Sequence, residues 1–314
     1  MELSKLSIRL FFRNFYNLFK YDFHHAEDER RRQWEELRDY ATVGSMFRYF
    51  NESNAGLYKE ELEYVRKHGL KSFPYERIRQ LNRVECGYDD SLGMAFALHN
   101  GKRLYFPEDM TVEIVEWYYR YLIEGECLLG GHYTGKMPHC YQSERVKVNH
   151  GDVYVDVGAA EGLVALDVID RASKVFIVEP DQRWLKALYA TFKPFGEKCV
   201  IVPKFMTDHN GRDGVTLEYL LKNETSCPIF VKMDIEGFEK MVLKASGGFL
   251  ANQDQIKLAC CTYHYDNDAQ ALADFFSQLG YQWEFSDGWM LFSDYDTSLL
   301  KPPFFRHGLI RAWK

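Results

Sequence analysis

Asp156-Val-Gly158-Ala-Ala-Glu-Gly162 is the first place in this 314-residue chain where residue types and spacing suggest chemistry. Glycines at 158 and 162 allow a close backbone approach to a ligand, and a helix starting just beyond them presents free N–H groups. Twenty-three residues after Asp156 stands Glu179, followed by Pro180. An acid at that point has two oxygens for the two hydroxyls of a ribose. The spacing separates two kinds of cofactor. A dinucleotide fingerprint runs G-x-G-x-x-G, with a pyrophosphate on the helix N-terminus. Here Ala160 takes the middle glycine's place and Asp156 precedes the turn. A carboxylate there repels a pyrophosphate and suits a cation bearing an amine and a sulfonium.

A second group follows. Lys232, Asp234 and Glu236 alternate with Val231, Met233 and Ile235. On a strand, that alternation sends three ionisable side chains to one face near its carboxyl end. Burying unpaired charge costs several kcal/mol, so such a row implies pairing, hydration or use. A later apolar run ends in Cys261-Thr-Tyr-His264-Tyr-Asp266. If the two runs are neighbouring strands, His264 comes near Asp234.

The elements that must position these residues begin at about Gly151. Val153–Val157, Val175–Val178, Val200–Phe205, Ile229–Met233 and Lys257–Thr262 read as strands. Helical patterns at Leu163–Ala172, Arg183–Phe195, Phe238–Ala245 and Ala269–Leu279 alternate with them. Strands apolar on both faces and alternating with helices predict a parallel sheet covered on each side. The tail, with Gln282–Ser286, Trp289–Phe292 and Leu309–Trp313, predicts antiparallel pairing at one edge. Residues 1–140 read as a helix-rich region, and 141–314 as the cofactor-binding domain. The first region reads as opening with an aromatic, basic amphipathic helix through Leu6, Leu10, Phe11, Phe15 and Leu18, suited to a membrane surface or a partner, or to packing on its own domain or a dimer mate. A charge-dense stretch follows over 26–38. Asn100-Gly101 joins Met94–Leu98 to Arg103–Phe106 as a hairpin.

Composition excludes other classes. With 46% hydrophobic and 27% charged residues, the chain is of globular type. A net charge of −7 lacks the electrostatic footprint of a nucleic-acid binder. No apolar run reaches the roughly 20 residues of a membrane-spanning helix, and no signal peptide is visible. Seven cysteines without CxxC spacing suit reduced thiols in a cytoplasmic protein.

Asp156–Gly162, Glu179-Pro180, Thr216-Leu-Glu-Tyr-Leu220 and Lys232-Met-Asp-Ile-Glu-Gly-Phe-Glu239, in this order, resemble the FkbM family of S-adenosylmethionine-dependent methyltransferases. The resemblance covers about residues 145–295. It implies a class I methyltransferase sheet, Rossmann-like, with seven strands, the last antiparallel, and methyl transfer to oxygen. It also implies S-adenosyl-L-methionine as cofactor and S-adenosyl-L-homocysteine as product. Asp156, Gly158, Ala159 and Gly162 would line the methionine part and Glu179-Pro180 the ribose. Asp208 would lie near the adenine amino group, although it equally suits a turn before Asn210-Gly211. Asp234 would face both cofactor and reaction centre.

Methylating a hydroxyl requires alignment and a route for its proton. His264 is the candidate general base, assisted by Asp234 or Glu236. Asp234, Glu236 and His264 could instead hold a divalent metal, though their spacing matches no dedicated metal motif. The acceptor would be a small hydroxyl compound, with a saccharide or glycolipid precursor the leading expectation. Its contacts would come from the His132–Tyr141 loop or from Trp283, Phe285 and Trp289. Two other readings stay open: an NAD(P)-dependent oxidoreductase on a similar sheet, and a non-catalytic adaptor that keeps the scaffold.

Overall fold

A computed structural model of the chain describes residue 39 and residues 41–50, 56–78, 81, 83–133, 135–224, 226–292 and 300–314. The amphipathic helix expected near the start, and the oligomer contact assigned to it, lie outside the described residues. So does the charge-dense stretch over 26–38.

The chain forms two compact units. One comprises the described residues before Tyr75 together with Leu291–Phe305. In it α1 (Lys59–His68) carries Glu60 and Glu61 in its first turn and Arg66, Lys67 and His68 in its last, matching the helix dipole. Its inner face buries Leu62 and Val65. Tyr58 stacks on Phe305 at 4.9 Å, and Phe50 lies edge-on against Tyr49 at 5.0 Å.

The second unit is Tyr75–Met290 with Arg306–Lys314. Residues 75–140 thus group with the larger sheet as one compact unit. The reason is packing between residues 75–140 and the larger sheet's helices. β1 (Cys86–Asp89), β2 (Met94–His99) and β3 (Lys102–Tyr105) form an antiparallel sheet. Asn100 (φ 51°) and Gly101 (φ 77°) supply the positive φ pair that a two-residue hairpin turn needs. α2 (Val112–Arg120) starts at Thr111, whose hydroxyl accepts from Ile114 N–H. The Tyr105 N–H donates to Thr191 Oγ1 at 2.9 Å, and Lys102 meets Asp170 at 2.6 Å. These contacts tie the hairpin to helices of the larger sheet.

That sheet is built from β4 (Val153–Val157), β5 (Lys174–Val178), β6 (Cys199–Val202), β9 (Ile229–Met233), β10 (Ile256–Cys261), β11 (Gln282–Phe285) and β12 (Leu309–Trp313). The helices alternating with the strands are α3 (Leu163–Val168), α4 (Gln182–Phe192), α5 (Leu217–Leu221), α6 (Glu239–Ala245) and α7 (Asp268–Gln278). Two short strands, β7 (Phe205–Met206) and β8 (Gly214–Val215), pair beside it. The order is β11-β12-β10-β9-β4-β5-β6. β4 and β9 are buried at every position, as strands covered on both faces must be.

Two expectations change. β12 is not at an edge but inserted between β10 and β11, antiparallel to both. Beyond it, Gln282–Phe285 pairs with β12 to close the sheet. The third strand ends at Val202, before the expected Phe205. This is a mixed α/β fold with a seven-stranded, mostly parallel sheet in which one strand runs antiparallel.

Candidate active site

β4 ends at Val157, and the chain turns through Gly158 (φ 76°), Ala160 (φ 46°) and Gly162 (φ 82°) into α3. A Cβ on Gly158 would stand 1.8 Å from the Asp234 carbonyl oxygen, so glycine is required there by the neighbouring strand's exit. A Cβ on Gly162 would meet Phe192 and Leu188 of α4 at 2.8–2.9 Å. Both glycines therefore serve close protein–protein approach first.

Asp156 is fully buried and ion-paired to Lys232 at 2.9 Å. Lys232 also donates to the Gly158 carbonyl at 2.6 Å. Burial opposes charge on Lys232, but Asp156 and Asp234 more than offset it and hold the ammonium above the usual lysine range. Asp156 thus braces the turn through Lys232, rather than offering a free carboxylate to an amine as expected.

Glu179 lies where the sequence put it, at the end of β5. Its Oε2 accepts from Ala160 N–H and its Oε1 from Asp181 N–H, both at 2.8 Å. Burial pushes its carboxyl up to about 7 against those two hydrogen bonds. Pro180 is half-buried and Ala159 buried beside it. Glu161, which the sequence reading passed over, is buried between the two glycines, and burial lifts it to about 7 as well. Its signal was its place inside the turn motif. Asp208 is different: it is half-exposed and paired with His209 at 2.6 Å.

The reactive cluster forms where β9 and β10 end. β9 stops at Met233 and Glu236 takes φ 56°, so the alternation that would align Lys232, Asp234 and Glu236 breaks after one step. Lys232 points into the sheet, while Asp234 and Glu236 belong to the loop beyond it. The Asp234 carboxylate accepts from Tyr141 Oη at 2.8 Å and from Tyr263 Oη at 3.2 Å. His264 Nε2 lies 3.6 Å from its Oδ1 and His139 Nε2 3.7 Å from its Oδ2. Although burial acts the other way, His139, His264 and Lys232 hold Asp234 well below the usual carboxylate range.

Each histidine is backed by a second carboxylate. His139 Nδ1 is 3.2 Å from Glu126, and His264 Nδ1 is 3.4 Å from Glu239. His264 Nε2 also lies 3.7 Å from Glu236. Burial disfavours both imidazolium ions, yet the carboxylates raise both rings to about 9. His264 is therefore charged at neutral pH in this geometry, which is the wrong state for a lone general base. The expectation placed it beside Asp234; it did not foresee three surrounding acids.

Supporting loops hold the cluster in place. Arg311 donates to the carbonyls of Cys140 (2.5 Å) and Tyr141 (3.3 Å), fixing the segment that carries His139 and Tyr141. Arg306 donates to the Tyr263 and His264 carbonyls and pairs with Asp266. His139 and Tyr141 came from a loop assigned to the acceptor, while Glu126, Glu239 and Tyr263 had no role in the sequence reading. Tyr263 and Glu239 did stand inside blocks already singled out. Glu126, near the end of a helical segment, gave no local signal.

In the aromatic tail Phe285 and Trp289 share one ring as a stacking partner, while Trp283 stays 37% exposed. His307 lies between Phe285 (4.0 Å, 9°) and Trp289 (3.9 Å, 32°). Trp283 Nε1 donates to Ser277. All seven cysteines are free, and Cys260 and Cys261 are core residues. Among the described residues no helix is long and apolar enough to cross a membrane.

Residues 211–283 match the family model described as Methyltransferase FkbM domain. The span takes in β9, the Lys232–Glu239 block, β10 and His264. No curated protein matches this sequence. Among solved structures the chain is similar to M. jannaschii TYW2 in complex with AdoMet, at 10% identity and TM-score 0.40, over 70% of this chain and 85% of that one. It is also similar to a precorrin-6y C5,15-methyltransferase from Geobacter metallireducens GS-15, at 14% identity and TM-score 0.37, over 54% and 84%. An rRNA methylase from Streptococcus thermophilus is similar at 14% identity and TM-score 0.33, over 53% and 89%.

Proposed function

We propose that this S-adenosylmethionine-dependent methyltransferase, which carries an FkbM domain over residues 211–283, methylates a hydroxyl oxygen of a small acceptor, a saccharide or glycolipid precursor. The oxidoreductase and adaptor readings give way to it.

The residues suit the cofactor. Glu161 and Glu179 are buried at the turn, and Asp234 abuts it through its backbone, so the surroundings favour a cationic sulfonium. Each Glu179 oxygen accepts one backbone N–H and keeps a further lone pair for a ribose hydroxyl. S-adenosylmethionine, when bound, supplies an electrophilic methyl group on positively charged sulfur.

The observation that carries the hydroxyl reading is the position of Asp234. Its carbonyl touches the Gly158 turn, while its carboxylate already binds two phenolic hydroxyls and faces two imidazoles. Such a group orients a hydroxyl donor beside the methyl-carrying end of the cofactor site. His139, His264 and Lys232 keep it ionised, while Tyr141 and Tyr263 fix its orientation. Around it, half-exposed Glu236 and the Tyr265 ring, 55% exposed over Gly237, form a polar and aromatic rim suited to a sugar.

The test is transfer of labelled methyl from S-adenosylmethionine to a panel of hydroxyl-bearing saccharides and lipid-linked sugars, with RNA alongside. Label in an alkali-stable ether of a saccharide is expected. Asp234→Asn should cut turnover at least a hundredfold while S-adenosylhomocysteine affinity stays within a few-fold. Label recovered in RNA or on an amine would overturn the reading.

A further inference from the structure

We infer that Asp234, Glu239 and His264 form a binding site for a divalent cation of the Mn2+ or Mg2+ class, with Glu236 at its outer side. One ligand atom from each of the three lies within 4.8 Å of the others. The spacings within the group are the first argument. His264 Nδ1 is 3.4 Å from Glu239 Oε1, and Nε2 is 3.6 Å from Asp234 Oδ1 and 3.7 Å from Glu236 Oε2. One ring nitrogen, freed of its proton when the ion binds, would serve with one oxygen each from Asp234 and Glu239; these atoms already lie within 4.8 Å of one another, and contraction toward the roughly 3–3.5 Å between ligands held at about 2.0–2.2 Å completes the set.

The second argument is independent of the first. Glu239 is 2% exposed, and its Oε2 has no hydrogen-bond partner, while Oε1 accepts from Ile235 N–H at 2.8 Å. A buried carboxylate oxygen without a donor is costly unless a cation answers it. One imidazole with two or three carboxylates is a hard, mostly oxygen donor set, which favours Mn2+ or Mg2+ over thiophilic ions.

A rival trio shares Asp234, namely His139, Asp234 and Cys261. Its space is already taken: Tyr141 Oη lies 2.8 Å from Asp234, 3.3 Å from His139 Nε2 and 3.8 Å from Cys261 Sγ. The cation site rests on the hydroxyl-methylation reading only for its use, since an ion there would lie beside the acceptor oxygen.

The experiment titrates the full chain, stripped with chelator, with Mn2+ alone and counts free ion by electron paramagnetic resonance. One saturable site per chain is expected, displaced by Mg2+. Glu239→Gln and His264→Gln should each weaken it at least tenfold, and Glu144→Gln, on the exposed surface, should leave it unchanged. No saturable site in the wild-type chain, or one indifferent to both substitutions, would overturn the assignment. Co2+ loaded into the wild type should show d–d bands without a thiolate charge-transfer band; such a band would move the ion to Cys261 and equally overturn it. S-adenosylhomocysteine calorimetry on the same samples reads the methyltransferase assignment separately, because that affinity depends on Glu179 and not on the ion.

Discussion

Glu179 and Lys232 show how single side chains set the properties of the site. With its carboxyl lifted to about 7, Glu179 is half protonated near neutral pH, and only the carboxylate can accept both ribose hydroxyls. S-adenosylhomocysteine affinity should therefore rise as pH increases through about 7 and level off above 8. In Glu179→Gln it should be weak and flat with pH; calorimetry across pH 5.5–8.5 reads both. Lys232 is the partner that makes buried Asp156 tolerable. Lys232→Met should lower unfolding free energy by about 3–5 kcal/mol, since it leaves an uncompensated charge. Lys232→Met with Asp156→Asn should recover most of that loss in urea denaturation. If the single substitution were harmless, the brace assigned to this pair would be wrong.

Strand ends explain why the cofactor turn looks as it does. Gly158 reads from the sequence as room for a ligand, and a branched residue there would be expected to fill the methionine site. The structure gives a different reason, because the first atom of any side chain would strike the backbone that leaves β9. Gly158→Ala should accordingly lower the melting temperature by several degrees even without cofactor, a shift that differential scanning calorimetry detects. Gly211→Ala, whose Cβ meets nothing closer than 4.0 Å, should leave it nearly unchanged. The parallel strands were legible because β4 and β9 are apolar throughout, and Ile229–Met233 and Leu309–Trp313 match to the residue. The insertion of β12 between β10 and β11 was not legible from the residues alone. Its pairing is set by contacts across 25 to 56 positions, which no local pattern records. The break after Met233 was hidden for the opposite reason: Lys232, Asp234 and Glu236 keep strand alternation in sequence, while Glu236 leaves it in space.

At the scale of the whole molecule, acidity has a thermodynamic consequence. Glu161 and Glu179 carry folded values of about 7 against an ordinary 4.5. Between those values the folded chain binds more protons than the unfolded one, so stability falls as pH rises from about 4.5 to 7. Each group can account for up to roughly 3 kcal/mol of that loss. Melting temperatures should decline from pH 5 to pH 7.5, and Glu161→Gln should flatten the decline; a profile rising over that interval would contradict the burial assigned to these acids. The division of the chain was the least legible feature. A hairpin at Asn100-Gly101 was plain from its turn residues. Its attachment to the cofactor sheet depends on Thr191 and Asp170, about 70 to 90 positions away. The candidate site was half legible: Asp234 and His264 meet because the strands they follow are neighbours, whereas Glu236 joins them from a loop and His139, Tyr141 and Glu126 reach the cluster only through the folded chain. The account as a whole stands on a sulfonium nucleoside lying across the ends of β4 and β5. Calorimetric titration of the full chain with S-adenosylhomocysteine, against NAD in parallel, is the most direct measurement. One nucleoside bound per chain, weakened at least thirtyfold by Glu179→Ala, with NAD inert, is the outcome expected. NAD binding in its place, or an affinity that Glu179→Ala leaves untouched, would contradict it.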